Sequence, residues 1–209
     1  MPSRPPTKRQ IAEALFKIGA VRFGKFTLAS GKTSSYYLDL RTVPSHPDAY
    51  SLVVEAYKEA VRMFAESAFD VIAGVATAGV TISSPLAFLL KKPMVYVRKE
   101  EKGHGMGKLV MGAVQRGSRA LVVDDVATTG GSILSAVEAL RSEGVVVEKA
   151  LVLVDRLEGG SESLRSAGVE LVSVLDMKEL AEELYGSKLV GRAEYDSIVA
   201  EASRGSVKQ

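Results

Sequence analysis

Residues 120–139 read ALVVDDVATTGGSILSAVEA. An apolar run, Ala120 to Val123, ends in two acids, Asp124 and Asp125. A short loop of Val126, Ala127, Thr128, Thr129, Gly130 and Gly131 follows. Ser132 then opens a stretch in which Ile133, Leu134, Val137 and Leu140 recur at helical spacing. A strand with no polar alternation is buried on both faces, as in a parallel sheet covered by helices. Strand, loop and helix together predict one βα unit with its loop at the carboxyl end of the strand, where open α/β sheets bind ligands.

The same pattern repeats on either side. Apolar runs at Asp70–Ala73, Met94–Val97, Leu109–Val114, Val145–Val154 and Val169–Val174 predict further strands. Helical spacing follows at Val80–Leu90, Ser132–Ser142, Ser161–Ser166 and Met177–Tyr185. Ser45 to Ser67 predicts the clearest amphipathic helix, with Leu52, Val53, Ala56, Tyr57, Ala60, Val61 and Phe64 on one stripe and Pro47 in its first turn. Ile11, Ala14, Leu15 and Ile18 predict an N-terminal helix capped by Thr7 and stopped at Gly19, and Ser35–Leu40 alternates as a strand. The tail from Ser203 to Gln209 reads as loose. The fold class is α/β, a largely parallel twisted sheet flanked by helices.

Composition narrows the function. A 209-residue chain with 46% hydrophobic and 25% charged residues builds a globular core, which excludes disordered, collagen-like and coiled-coil classes. Lys plus Arg is 27 and Asp plus Glu is 25, a balance too even for a nucleic-acid binder. Cysteine is absent, so no disulfide or Cys-ligated metal exists, and His46 and His104 are the two histidines. No protein metal site is expected. With no Asn, no Trp and three Gln, the composition fits either a heat-adapted source or a GC-biased genome. The start, MPSRPPTKRQ, has no secretion signal, and the uncharged stretch Val71–Leu90 is too rich in Gly, Ser, Thr and Pro to cross a membrane. A cytoplasmic protein is expected.

The chemistry of the 124–132 loop follows from its residue types. Glycines let backbone N–H groups approach an anion, and a helix start adds unpaired donors and a favourable dipole. Thr128, Thr129 and Ser132 add hydroxyls. No lysine stands where a Walker A loop needs one, and both acids precede the glycines, unlike a dinucleotide loop. Two carboxylates repel a polyphosphate but accept bonds from hydroxyl groups. A diol beside a single phosphate, as in a ribose 5-phosphate, fits. A purely structural strand-to-helix turn would use some of these residues; the whole run favours a ligand.

Residues 98–108 read RKEEKGHGMGK, between two expected strands. Gly103, Gly105 and Gly107 loosen this segment, and Arg98, Lys99, Lys102, His104 and Lys108 make it attractive to anions, with Glu100 and Glu101 as a partial balance. An exposed hairpin tip would look similar. Residues 23–41 read FGKFTLASGKTSSYYLDLR, in which a Ser/Gly turn and a flat wall of Tyr36 and Tyr37 suit a planar base; an aromatic β-hairpin is the plainer alternative. Arg156 closes the long strand, where a guanidinium can hold a carboxylate in two prongs or pair with Asp155 or Glu158.

The acid pair with its Thr/Gly loop resembles the signature of the type I phosphoribosyltransferases, which binds 5-phosphoribosyl 1-pyrophosphate (PRPP). Arg98-Lys99-Glu100 with Lys102, His104 and Gly105 resembles the mobile loop of orotate phosphoribosyltransferases, and Phe26, Leu28, Ser30, Gly31, Ser34 and Tyr36 match their base-side segment. The resemblance runs from about Phe23 to Glu158. It implies a phosphoribosyltransferase fold with a small N-terminal hood (about 1–45), a PRPP-binding core (about 46–175) and a C-terminal helical extension (about 176–209) in a single domain. It implies PRPP binding by Arg98, Lys99, Lys102, His104, Asp124, Asp125, Val126, Ala127, Thr128, Thr129, Gly130, Gly131 and Ser132. Orotate contacts fall to Thr128 and Arg156, and catalysis to Lys102, His104 and Asp125. Mg²⁺ is the implied cofactor. A homodimer is implied in which Arg98, Lys102 and His104 act on the neighbouring subunit and Lys99 on its own. Two positions depart from many bacterial members: Ala29 replaces a lysine, and GVATAG (Gly74–Gly79) replaces a Tyr-Lys loop. A purine phosphoribosyltransferase shares the acid loop but gives Arg156 no role, and a PRPP-sensing regulator would normally add a nucleic-acid-binding segment.

Overall fold

The computed structural model describes residues 4–27, 33–65, 68–99 and 108–205. A sheet of seven strands forms its centre, in the order β5-β4-β3-β6-β8-β7 with β9 paired to β8. The strands are β3 (Val71–Val75), β4 (Met94–Val97), β5 (Val110–Met111), β6 (Arg119–Val123), β7 (Val126–Ala127), β8 (Val146–Asp155) and β9 (Glu170–Asp176). All pairings are parallel except β4 with β5. Leu121, Val122 and Val123, and Leu151 to Val154, are wholly buried, as strands covered on both faces must be. Two apolar clusters result, one on each face of the sheet.

Helices cover both faces: α1 (Lys8–Lys17), α2 (Pro47–Arg62), α3 (Ala78–Leu90), α4 (Gly131–Ser142), α5 (Gly160–Ser166), α6 (Met177–Gly186) and α7 (Arg192–Gly205). Local sequence sets their ends. Thr7 and Gln10 form a reciprocal capping box at α1, and Asp176 and Glu179 form one at α6. Pro47 takes the first position of α2. Pro85 sits inside α3 and has no N–H to give the carbonyl of Thr81, one turn earlier. The hydroxyl of Tyr50 donates to that carbonyl instead, tying α2 to α3.

The N-terminal segment forms its own two-stranded antiparallel sheet, β1 (Val21–Thr27) and β2 (Thr33–Leu38), and runs into a 3₁₀ turn at Leu40–Ser45. Three expectations are corrected. The run Leu109–Val114 yields only Val110–Met111, because Gly112 turns the chain at φ 115°. Val126 and Ala127, read as loop, pair with Val154 and Asp155 of β8. Ser203 belongs to α7 rather than to a loose tail, and residues 206–209 lie outside the described ones. Among the described residues no helix is long and apolar enough to cross a membrane.

Candidate active site

The carboxylates of Asp124 and Asp125 follow directly from the buried end of β6 and are 7% and 9% exposed. Backbone groups hold them. The N–H of Asp125 donates to Asp124 Oδ1 at 3.0 Å, and the N–H of Val126 donates to Asp125 Oδ1 at 2.9 Å. The buried hydroxyl of Tyr57, on α2, donates to the Asp124 carbonyl at 2.6 Å. The N–H of Gly79, in the first turn of α3, also faces Asp124 and works to lower its pKa. A methyl at Gly79 would overlap the carbonyl oxygen of Val123 and come within 3.0 Å of Asp124 Cα and Oδ1, so close approach requires glycine there.

Burial pushes the Asp124 carboxyl well above its ordinary pKa, and the charge of Asp125 pushes the same way. Burial also raises Asp125, against hydrogen bonds and the field of Arg41, which lower it. An acid pair this proton-hungry is under-compensated in the free protein. Hydroxyl donors or a dication would relieve it, which marks the pair as a binding element.

Past the acids, Gly130 takes the left-handed conformation at φ 84° and caps α4 without a side chain. It lies against Gly160, where a Cβ would come within 2.8 Å of the Thr128 carbonyl. The start of α4 opens into a cleft of about 310 Å³ lined by Asp124, Asp125, Val126, Ala127, Thr128, Thr129, Gly130, Gly131, Ser132 and Ile133. Val126 lines it but its N–H is already bonded to Asp125, so the anion donors begin at the Thr128 turn. A second cleft of about 280 Å³ shares Gly131 and Ser132 and is lined by Val75, Ala76, Arg98, Lys99 and Ser135. The backbone of Arg98 closes on the carbonyl of Leu109 at 2.9 Å, fixing the base of the 98–108 segment. The two clefts thus gather all the anticipated PRPP residues except Lys102 and His104, which lie outside the described residues.

Register sets the base side. Ala127 pairs with Asp155, and the Arg156 N–H donates to the Ala127 carbonyl at 2.9 Å, so Thr128 and Arg156 are the next residues on adjacent strands. The guanidinium of Arg156 donates through Nε to the Tyr36 hydroxyl at 3.1 Å and pairs through Nη2 with Glu158 at 2.8 Å. Asp155 instead accepts from the N–H of Leu157 at 2.9 Å. The expectation of a flat tyrosine wall is corrected. Tyr36 is buried with Arg156 5.0 Å above its ring, and the ring of Tyr37 meets Phe26 at 5.7 Å and Arg22 at 4.9 Å. Burial raises Tyr36 to about 12, so it keeps its proton at neutral pH. The tyrosines support the arginine and the hairpin rather than a base.

Sequence reading gives no site role to Tyr57 or Arg41, and takes Gly79 only as the end of the GVATAG loop, whose N–H groups could meet pyrophosphate, not as a neighbour of the acids. Tyr57 was visible only as one of the core positions of α2. Arg41 forms a two-pronged pair with Asp39, at 2.7 and 2.8 Å, while its field reaches Asp125. The alternating -Leu38-Asp39-Leu40-Arg41- pattern could have flagged that pair. Among the described residues no three of His, Cys, Asp and Glu cluster to hold a metal. This donor set suits Mg²⁺, which keeps its waters and takes few carboxylates alongside substrate phosphates.

Known proteins match this arrangement. The family described as "Phosphoribosyl transferase domain" matches residues 42–183. The chain is 49% identical to an orotate phosphoribosyltransferase of Sulfolobus acidocaldarius over 182 residues, 87% of this chain and 90% of that one. It is similar to the crystal structure of orotate phosphoribosyltransferase from Aeropyrum pernix, with TM-score 0.75 and 43% identity over 87% of this chain and 99% of that one. It also resembles the UMP synthase of Leishmania donovani, with TM-score 0.82 and 30% identity over 95% of this chain, which spans 42% of that longer protein.

Proposed function

The chain belongs to the orotate phosphoribosyltransferase family, and from that premise we propose how its own residues divide the reaction. The enzyme transfers the ribose 5-phosphate group of PRPP to orotate, giving orotidine 5′-monophosphate and pyrophosphate. The observation that carries the reading is the buried Asp124–Asp125 pair set flush against the uncapped start of α4.

The Thr128–Ser132 turn holds the 5-phosphate through backbone N–H groups and hydroxyls, and the α4 dipole adds to its grip. Asp124 and Asp125 accept from the ribose hydroxyls. Together they fix C1 of the ribose, and this remote binding energy orients the reacting bond. Lys99 flanks the second cleft, where the pyrophosphate end lies, and Arg98 of the partner subunit joins it there. Lys102 and His104 complete its neutralisation as the C1–oxygen bond breaks, with the His104 imidazole as proton donor to the leaving group. When bound, Mg²⁺ would supply charge neutralisation on the pyrophosphate oxygens, and Asp124 and Asp125 are the carboxylates that would help hold it. Arg156, held by Tyr36 and Glu158, meets the orotate carboxylate, and Thr128 lies beside it. That assignment favours a carboxylated base over a purine.

Arg98, Lys102 and His104 act in trans in a homodimer, and Lys99 acts on its own subunit. Support comes from α3, which leaves Phe88 82% and Leu89 44% exposed on a single chain. PRPP and its products carry charges that do not cross a bilayer unaided, which favours a cytoplasmic enzyme. The test is spectrophotometric. Orotate should be consumed only with PRPP and magnesium both present, and hypoxanthine, adenine and uracil should fail to replace it. Equal turnover of a purine would overturn the base assignment.

A further inference from the structure

We propose that Glu201, on the C-terminal helix, is a positioning residue for the base side of the active site; this rests on the reading that Arg156 receives the orotate carboxylate. Helix α7 is seated by Ile198 and Ala202, both buried, one helical turn apart. Glu201 lies beside that seam. One oxygen of its carboxylate accepts from the Ser34 hydroxyl at 2.6 Å. The other accepts from the N–H of Ser35 at 2.7 Å and from the Ser35 hydroxyl at 2.6 Å. Three donors on one carboxylate make a charge-assisted clamp between segments 166 and 167 residues apart.

The clamped strand needs it. β2 pairs only with β1, in a sheet separate from the main one, and their register shifts between Phe23 and Phe26. Ser34 is buried, and its single hydroxyl proton has two acceptors in reach, Glu201 and the Tyr36 carbonyl at 2.8 Å. The charged acceptor wins that competition. The Tyr36 N–H donates back to the Ser34 oxygen at 3.3 Å. Two residues beyond Ser34, the Tyr36 hydroxyl accepts Arg156 Nε and its ring lies under the guanidinium. A carboxylate on the last helix therefore fixes the strand that fixes the arginine.

Glu201→Ala, Glu201→Gln and Arg156→Ala, made in the full chain, test this by steady-state kinetics and by amide hydrogen exchange at Ser35. With two or three hydrogen bonds removed at one remove from the ligand, Glu201→Ala should raise the orotate KM roughly five- to tenfold, with kcat and the PRPP KM within about twofold. Exchange at Ser35 should quicken, and Glu201→Gln, which keeps one carbonyl acceptor, should recover part of the loss. In a Tyr36→Phe background the effect of Glu201→Ala should shrink, because both act through the same arginine. An unchanged orotate KM in Glu201→Ala, while Arg156→Ala raises it, would overturn the inference alone; so would an equal rise in both KM values. An unchanged orotate KM in Arg156→Ala would mean the base binds elsewhere, and the inference would fall with that reading. Should Glu201→Ala not fold, Ser35→Ala, which removes one of the three bonds, should still raise the orotate KM about twofold, and no rise would count against the inference.

Discussion

Replacing Gly79 by alanine tests how the acid pair is held. The added methyl would overlap the Val123 carbonyl and stand 3.0 Å from both Cα and Oδ1 of Asp124. Those neighbours are backbone of a central strand and a buried carboxylate, so α3 must move and not β6. Its displacement withdraws the Gly79 N–H from Asp124. Overpacking of this kind costs about 1–3 kcal/mol. A weakened N–H contact to the carboxyl adds about 0.5–1.5 kcal/mol. The two overlap, because one shift causes both, and the sum expected is about 2–4 kcal/mol. A domain of this size tolerates that, with a midpoint lower by roughly 5–12 °C. Calorimetry should also show PRPP affinity reduced by about tenfold or more, since the carboxylate that meets the ribose hydroxyls is displaced. A Gly79→Ala protein with the parent's denaturation midpoint and PRPP affinity would refute the claim that α3 is seated on the acid pair.

Gly131→Ala should separate ligand from fold, because a methyl there meets only Thr129 Oγ1 at 4.0 Å. Stability should hold or rise by up to about 1 kcal/mol, as for glycine replaced inside a helix, while the PRPP KM rises; an unchanged KM would remove the phosphate from the start of α4. Asp124→Asn should raise the urea midpoint at pH 7 and abolish most turnover. The folded Asp124 and Asp125 titrate above 3.8, so the native state holds more protons than the unfolded one and stability falls as pH rises through the window above 3.8. The variant should flatten that fall, and an unaltered urea–pH profile would contradict it. Lys102→Ala should lower kcat by roughly a hundredfold or more, and mixing it with Asp125→Asn should restore activity in hybrid dimers; verified hybrids without activity would place the segment in cis.

The central strands were legible because burial on both faces leaves a purely local trace. Residues 150–155 of β8 and 120–123 of β6 show it, and so does the acid loop, whose chemistry lies within nine consecutive positions. Helix α7 left almost no such trace. Among its described residues only Ile198 and Ala202 are buried in the core, too few for a stripe. Gly79 and Tyr57 could not be found as neighbours of the acids, because their roles depend on α3 and α2 meeting the end of a strand at least 44 residues away in sequence. Arg156 stands at a strand end as its position in the sequence implies, and the pair it forms is the Glu158 alternative to a bound carboxylate. Tyr36 was misread because a buried tyrosine and one facing a ligand look alike in sequence.

These contacts explain why the acids can be there at all. Two carboxylates at the buried end of a strand repel each other and are poorly hydrated, so the fold must hold them against a force that would turn them outward. Tyr57 grips the Asp124 carbonyl from one helix, and the Gly79 N–H faces the same residue from another. Each aspartate also accepts a backbone N–H from the residue after it. None of these groups neutralises the charge. They fix its position and leave the compensation to whatever binds, so the unfavourable electrostatics of the free protein are available as binding energy for a ligand that brings hydroxyl donors or a cation. Among the described cationic residues, Arg98 and Lys99 line the neighbouring cleft instead, apart from the acids. If they stood beside the acids in the free protein they would satisfy the acids and leave less binding energy for substrate.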